Sequence, residues 1–353
     1  MSPADDKGTG ADGAARGSAS ELVLPPVVQI YPDREALAEA AAERVAHLLA
    51  AVIEERGAAS LALAGGSTPR PVYERLAEAA GAGVDWSRVD VYWGDERAVP
   101  ADHEASNYLM ARRALLDRVP INPGHVHRIQ GERSAEEAAR LYEVELILTL
   151  GKRQRKVAED EEESAEERAH GDDDPEYRKL KQERAELRER EKRRGLDALH
   201  LDRVRLDLNL LGLGDDGHTA SLFPAAFAGH ETDPGYDPHP RRLAAATRAP
   251  DPPHDRITLS LSTLSAARRT VFLVSGEDKA EAVARVMEAR GELDVLLAAD
   301  ADGRDAGGRK VVSDTGPPVS GPIPPAARVR PTKAPALWLL DMAAASRLPA
   351  PEA

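Results

Sequence analysis

The sequence contains no cysteine. That absence removes disulfides, thiolate metal sites and a cysteine nucleophile together, and it fits a reducing cytoplasm as the expected location. Aromatic residues are scarce, with three Phe and three Trp among 353 residues, so Ala, Leu and Val must fill the core. No apolar run approaches the roughly 18 residues of a membrane span. Met1–Ser20 is rich in Ala, Gly, Asp and Ser and lacks the apolar stretch of a signal peptide. It reads as part of a disordered tail over 1–26. Positive charge is in deficit: the net charge of −14 argues against a nucleic-acid or anionic-membrane partner. An anionic substrate would need a locally positive pocket. Hydrophobic residues still make up 42% of the chain, enough for a sizeable core, and the length fits one large α/β domain with insertions as well as two or three smaller ones.

What is present centres on Asp207–Pro224, DLNLLGLGDDGHTASLFP. Leu206, Leu208, Leu210 and Leu211 form an apolar run that breaks at Gly212, Gly214 and Gly217, the pattern of a buried strand entering a glycine-rich turn. The turn carries Asp215, Asp216 and His218. Carboxylates and an imidazole at a strand's C-terminal end stand where open α/β sheets place their ligands. A polar loop with a solvated histidine is the alternative. A second strand, Ser60–Ala64, delivers Gly65-Gly66-Ser67-Thr68-Pro69. Its glycines let backbone N–H groups approach a ligand, Thr68 is suited to cap a helix, and Pro69 suits the first helical position. Such a helix start is an anion site, most naturally for phosphate, although a well-capped turn would look the same. The Gly-Lys-Ser/Thr ending of a Walker loop is absent. A third strand, Val89–Trp93, ends in Gly94-Asp95-Glu96-Arg97. The strand–loop–helix rhythm puts all three turns on one edge of a parallel sheet.

Along the chain, Val27–Ile30 reads as a first edge strand. Asp33 then caps a helix to about Arg56, with Leu37, Ala41, Val45, Leu48 and Val52 at helical spacing and Gly57 as the stop. A helix from Glu104 to about Arg118 carries Ser106 and Asn107 in its first turn, and another runs from Ser134 to Leu150. His125-Val126-His127 has the look of a metal pair, but no third ligand of matching spacing follows, so a loop or short strand is expected. From Lys152 to Arg194 charged residues dominate and apolar ones nearly vanish; this marks a charged insertion, placed at 151–200, to which no partner is assigned. Leu243–Thr247, Ile257–Leu261 and Thr270–Ser275 read as strands. The last leads into Gly276-Glu277-Asp278-Lys279 and a helix from about Asp278 to Glu288. A lysine in a helix's first turn opposes the dipole and so suggests an anionic partner. Residues 299–325 read as a flexible loop whose Asp300–Gly303 lacks the flanking ligands of a calcium site. Ala336–Ser346 closes the chain as an apolar helix.

Three strand ends thus bring a phosphate cradle (Gly65, Gly66, Ser67, Thr68), a cation (Arg97) and an imidazole beside a carboxylate (His218, Asp216), with Lys279 as a fourth contribution. No Gly-x-Ser-x-Gly elbow supports a serine acyl-enzyme. The combination suits a phosphorylated substrate attacked by water, with His218 as general base, Asp216 orienting it, and arginine or backbone donors holding the oxyanion.

These pieces resemble the 6-phosphogluconolactonase family, in the superfamily that also holds the glucosamine-6-phosphate deaminases and isomerases. The matching stretches are Ala64–Pro69 (AGGSTP), Trp93–Pro100 (WGDERAVP) with Ser106-Asn107, Asp207–Pro224, Arg256–Leu259 (RITL), Ser275–Ala280 (SGEDKA) and Leu337–Asp341 (LWLLD). They span about residues 27–346, with gaps at the insertion and the late loop. The resemblance implies a Rossmann-like α/β fold, a mostly parallel sheet flanked by helices, in a single domain over 27–347. It also implies cofactor-free, metal-free hydrolysis of a phosphorylated sugar lactone. His218 matches the water-activating base and Asp216 its carboxylate neighbour. Arg97 and Lys279 match cations that bind phosphate or steady the lactone's charge, and Gly66–Thr68 match the phosphate loop. Asp95, Asn107 and Arg256 join the candidate substrate-binding set, although Arg256 would look the same in a structural ion pair behind the site.

The alternative enzyme is an aminosugar-phosphate deaminase or isomerase. Against it, Thr219–Pro224 (TASLFP) follows His218 where deaminases resemble Ile-Ala-Phe-Asn-Glu-Pro, and Arg97 stands where they resemble tyrosine; Asp95 remains available as a base. A non-catalytic sugar-phosphate sensor is a third reading. Such sensors carry a DNA-binding helix-turn-helix, and the segment before residue 27 is too short and too acidic for one.

Overall fold

The computed structural model describes residues 26–78, 83–151, 204–231, 236–290, 293–297, 311–313 and 322–349. Nearly all of the expected tail and charged insertion, and most of the expected 299–325 loop, lie outside those residues. Among the described residues no helix is long and apolar enough to cross a membrane.

The first helix forms where the sequence places it. Asp33 is extended, with φ −153°, and its carboxylate accepts from the Ala36 N–H, opening α1 (Arg34–Arg56). Gly57 closes it in the left-handed conformation, φ 80°, which only glycine adopts at little cost. The buried face of α1 is mostly alanine (Ala38, Ala41, Ala42, Ala46), which lets the helix lie close against β1 (Val27–Tyr31), β2 (Ala59–Leu63) and β11 (Leu337–Asp341). Small side chains are how a chain poor in aromatics achieves density.

β3 (Val89–Trp93), β5 (Leu208–Leu211), β8 (Arg269–Val274), β9 (Leu293–Leu297) and β10 (Val311–Ser313) complete the main sheet. Its order is β10-β9-β1-β11-β8-β5-β2-β3, parallel except for β10. The fold is therefore α/β with a mostly parallel sheet flanked by helices. Strands β2 and β5 are buried at every position, on both faces, as parallel sheets require. Connections from β2 run outward to β3, and those from β5 run the other way to β8, so the sheet has a topological switch point between β5 and β2. Ligands of such sheets bind beyond that point. At the opposite end of these strands the buried Asp207 carboxylate accepts from Ser60 N (3.0 Å) and Ser60 Oγ (2.8 Å), fixing where β5 starts against β2. A small antiparallel sheet, β4 (Asp95–Arg97), β7 (Asp255–Leu259) and β6 (Ala244–Arg248), stands beside the switch point.

Three expectations are corrected. Ala336–Ser346 is not a helix: Leu337–Asp341 is strand β11, paired in parallel with both β1 and β8. Its apolar run is equally compatible with a buried helix or strand, and burial on both sides decided for the strand, with Trp338 stacked on its register partner Phe272 at 3.8 Å. β1 is not an edge strand; it lies between β9 and β11. Within 299–325, Val311–Ser313 pair with β9 instead of forming loop. Helix ends also moved: the helix after Glu104 is α3 (Asn107–Ala114), capped by Ser106, and the one after Ser134 is α4 (Ala135–Leu146), followed by a π turn over Ile147–Gly151.

The two histidines after α3 lie, as expected, in a short turn and a β-bridge, with Val126 pairing Val91. His127 is buried against Tyr92, with Nδ1 2.6 Å from Glu145 and Nε2 3.1 Å from Asp90; His125 Nδ1 approaches the same Asp90 at 3.7 Å. Burial lowers the His127 pKa, but the hydrogen bonds and charges of Asp90 and Glu145 outweigh it, and the ring titrates above the ordinary histidine value. A raised folded-state pKa stabilises the fold fully below the unfolded value and is lost as pH rises through the folded one. We therefore expect wild type to out-melt His127→Gln by most below roughly pH 6.5, the margin shrinking as pH rises above it. Melting curves across pH check this; a margin that grows with pH would contradict the assignment.

Candidate active site

A cleft of about 350 Å³ opens over the switch point. It is lined by the ends of β2, β3, β5 and β8 and by the small sheet, and it brings together every candidate residue: Gly65, Gly66, Ser67, Thr68, Asp95, Arg97, Asn107, Asp216, His218, Arg256 and Lys279.

The imidazole is placed by its own turn. Gly214 N–H donates to His218 O at 2.8 Å and Gly217 N–H to Gly214 O at 3.0 Å, folding the chain back on itself. A Cβ on Gly214 would lie 2.0 Å from His218 Nδ1, so glycine is what leaves room for the ring. Gly217 has φ 87° and sits against Pro324, and its carbonyl accepts from Ala326 N–H at 3.0 Å. His218 Nδ1 is 2.6 Å from Asp216 Oδ1, which also accepts the His218 backbone N–H at 2.9 Å. Burial raises the Asp216 pKa, but the bonds from the His218 ring and backbone prevail and lower it overall, so the carboxylate is ionised. An ionised carboxylate only accepts, which puts the proton of neutral His218 on Nδ1 and leaves the Nε2 lone pair free to act as a base. Phe223 lies against the ring at 4.6 Å.

Opposite stands the β4 wall. The Glu96 carboxylate is buried and accepts from Arg97 N, Asn107 N, Tyr108 N and Ser106 Oγ, so it caps the start of α3. Burial raises its pKa against the pull of those four bonds. Asp95 is also buried: Ser221 Oγ donates to Oδ2 at 2.6 Å, and Asn107 Nδ2 donates to the Asp95 carbonyl at 2.9 Å. The Asn107 amide fills the space beside Gly65, where a Cβ would meet its Oδ1 at 1.9 Å. Asn107 and Asp95 are thus engaged with each other and with the loops at the cleft rim.

Arg97 and Arg256 are register partners across β4 and β7. Like charges placed directly opposite are unfavourable. Burial and then the Arg97 charge lower the Arg256 pKa, and the buried Arg256 Nη1 has no hydrogen-bond partner among the described residues. Arg97 Nη1 donates to the Ala105 carbonyl. No carboxylate closes a salt bridge to either arginine among the described residues, which is the arrangement of an anion site.

Two local expectations change. Thr68 stands at the N-cap of α2 (Pro69–Leu76), but in helical conformation and without a capping bond. Lys279 ends a 3₁₀ turn, Glu277–Lys279, just before α6 (Ala280–Arg290), the helix that follows the short α5 (Leu261–Ala266), and its Nζ is 3.3 Å from Asp278. The structure also adds residues that the sequence did not single out. Asp341 holds the β8 turn, accepting from Ser275 Oγ and Gly276 N–H, and Ser221 ties the His218 loop to Asp95. Only their positions in the matching stretches hinted at them. Among the described residues no group of three or more His, Asp or Glu could hold a metal ion.

If Arg97 and Arg256 form an anion site, Arg256→Gln relieves repulsion in the free protein. The variant is expected to melt at least as high as wild type in phosphate-free buffer, and to gain less from added inorganic phosphate. A variant melting well below wild type without phosphate would place Arg256 in a structural ion pair instead.

Comparison with known proteins bears on the fold and the family. Residues 32–299 match the family described as glucosamine-6-phosphate isomerases/6-phosphogluconolactonase. A 6-phosphogluconolactonase of Streptomyces coelicolor is 31% identical over 330 residues, covering 92% of this chain and 95% of that one. Among solved structures, a 6-phosphogluconolactonase from Trypanosoma cruzi superimposes with a TM-score of 0.60 at 21% identity, covering 94% of this chain and 100% of that one. A monomeric glucosamine-6-phosphate deaminase superimposes with a TM-score of 0.53 at 18% identity, covering 91% and 99%. At these identities the solved structures bear on the fold alone. The family match and the Streptomyces relative carry more: the chain belongs to the glucosamine-6-phosphate isomerase/6-phosphogluconolactonase family.

Proposed function

We propose that this chain hydrolyses 6-phospho-D-glucono-1,5-lactone to 6-phospho-D-gluconate, the lactone-opening step of the pentose phosphate pathway, in the cytoplasm and without cofactor or metal. The observation that carries the reading is the Asp216-bound His218, opening on the same cleft as the Arg97–Arg256 pair. The 31%-identical relative named 6-phosphogluconolactonase, matched along nearly its whole length, supports the substrate.

In this mechanism the phosphate lies against Gly66–Thr68, with Lys279 and an arginine completing its charge. His218 Nε2 takes a proton from water as the oxygen attacks C1 of the lactone. Asp216 steadies the imidazolium, and Arg97 or backbone N–H groups hold the C1 oxyanion. Collapse of the tetrahedral intermediate breaks the bond from C1 to the ring oxygen, which receives the proton from His218. A lactone is an activated ester, so one base and one positioned water suffice, and no covalent nucleophile is needed. The deaminase reading is disfavoured by the residues after His218 and by Arg97, although Asp95 remains available as a base.

A coupled assay tests the proposal. Glucose-6-phosphate dehydrogenase generates the lactone and 6-phosphogluconate dehydrogenase reports its hydrolysis above the spontaneous rate, with EDTA present. Wild type should accelerate hydrolysis, and His218→Ala should lower kcat by about 10²–10⁴; a loss smaller than about tenfold would reject His218 as the base. Gly214→Ala should fall in the same direction, because its methyl group displaces the ring. Lys279→Ala and Thr68→Ala should instead raise KM with little change in kcat, as contacts equal in ground and transition states do. No acceleration by wild type would direct the search to glucosamine 6-phosphate.

A further inference from the structure

The last backbone units of β2 and β3 are each held by a buried tyrosine that the mechanism above does not use. The Tyr73 hydroxyl, from α2, accepts from Ala64 N–H at 2.8 Å and donates to the Ala64 carbonyl at 2.9 Å. The Tyr142 hydroxyl, from α4, does the same to Trp93 at 2.8 and 3.0 Å. In a strand the N–H and C=O of one residue point to one side and those of the next to the other. Leu63 O accepts from Gly94 N–H on the β3 side, so both groups of Ala64 face β5. The register between β2 and β5 runs only through Leu61↔Leu208 and Ala62↔Asn209. Past that point the cleft opens, and the Tyr73 hydroxyl stands where a neighbouring strand would otherwise pair.

We propose that Tyr73 is a positioning residue for phosphate binding. By holding both backbone groups of Ala64, just past the end of β2, across the opening between β2 and β5, it fixes where Gly65–Thr68 leave the sheet and where their N–H groups meet the phosphate. The phosphate itself rests on the lactonase reading. The loop is held at further points: Gly65 against the Asn107 amide, and the Ser67 carbonyl by Arg34. Tyr73 also belongs to the helix that follows the loop, so both loop ends are tied to one rigid element. Burial pushes the Tyr73 hydroxyl far above its ordinary range, so the donated proton stays in place at every working pH.

Tyr73→Phe keeps the ring and removes the two bonds. KM for 6-phospho-D-glucono-1,5-lactone and the inhibition constant of inorganic phosphate should rise together, by about three- to tenfold, while kcat stays within about twofold. A merely structural tyrosine would instead lower the active fraction, so that kcat falls and both constants hold; that result would overturn the proposal. Tyr142→Phe loses an equal pair of bonds on β3, which leads to Arg97 and not to the loop, so its phosphate inhibition constant should rise clearly less than that of Tyr73→Phe. An equal rise in both variants would mean general loosening and would also overturn it. Should Tyr73→Phe fail to fold, amide exchange in the wild type decides: the Ala64 N–H should be protected, and more so with phosphate bound. An Ala64 amide indifferent to phosphate would count against the proposal. A wild type without lactonase activity would sink the substrate reading, while phosphate titrations of wild type and Tyr73→Phe by thermal shift still decide the role of Tyr73.

Discussion

A parallel sheet that stops to make room for a ligand leaves backbone N–H and C=O groups without partners, and burying them unpaired is costly. The cleft of this protein is built from the ways those groups are satisfied. Tyrosine hydroxyls take both groups of Ala64, just after β2, and of Trp93, the last residue of β3. At β5 the Thr219 hydroxyl donates to the Gly212 carbonyl at 2.8 Å, which turns the glycine-rich segment back and aims His218 over the sheet. At β8 the Asp341 carboxylate, at the end of the neighbouring strand β11, takes the Gly276 N–H and the Ser275 hydroxyl. Each solution uses a side chain from a different element. The loops therefore carry functional groups on a frame fixed from several directions, as a positioned site requires.

Charge follows the same economy of placement. The protein is strongly acidic overall, yet at the cleft two guanidinium groups face each other across β4 and β7. Two of the carboxylates that act on Arg256 are engaged elsewhere: Glu96 caps α3, and Asp95 accepts from Ser221. Among the described residues neither guanidinium is closed by a salt bridge, and an anion bound between them would relieve their repulsion. The repulsion tolerated in the free protein becomes attraction for the ligand, a local opposite to the sign of the whole surface.

The legible parts of the fold were those coded within a few residues. Asp33 and Gly57 bracket α1 because capping and a left-handed stop are local chemistry. The strand–glycine-turn pieces at Ser60, Val89 and Leu206 were readable because an apolar run meeting glycines has few other uses, and the topology placed their turns on one edge. β11 was misread because its residues carry no period that distinguishes a doubly buried strand from a buried helix; only pairing with β1 and β8 settles it. The position of β1 inside the sheet depends on β9, a strand 267 positions further along the chain at the paired residues Val27 and Asp294, a separation that no local pattern encodes. The same holds for the site. His218 and Asp216 are two residues apart and were found together, whereas the bond between Asp95 and Ser221 spans 126 positions and that between Ser275 and Asp341 spans 66.

That last contrast bears on how one fold serves two chemistries. A deaminase or isomerase must move a proton on and off carbon, which calls for a carboxylate free to titrate against the substrate. In this chain the Asp95 carboxylate is buried and takes a short bond from Ser221, the third residue after His218, where the stretch TASLFP replaces the deaminase-like sequence. The hydroxyl that secures Asp95 is therefore supplied by the segment that departs from the deaminases. The Ser221 backbone in turn is held by Thr258 through its N–H and by Thr247 through its carbonyl, which keeps the residue beside Asp95. Lactone opening asks for less: a base for one water, the role proposed for His218, and charge to hold an oxyanion. Asp95 meanwhile ties the wall that carries Arg97 to the loop that carries His218.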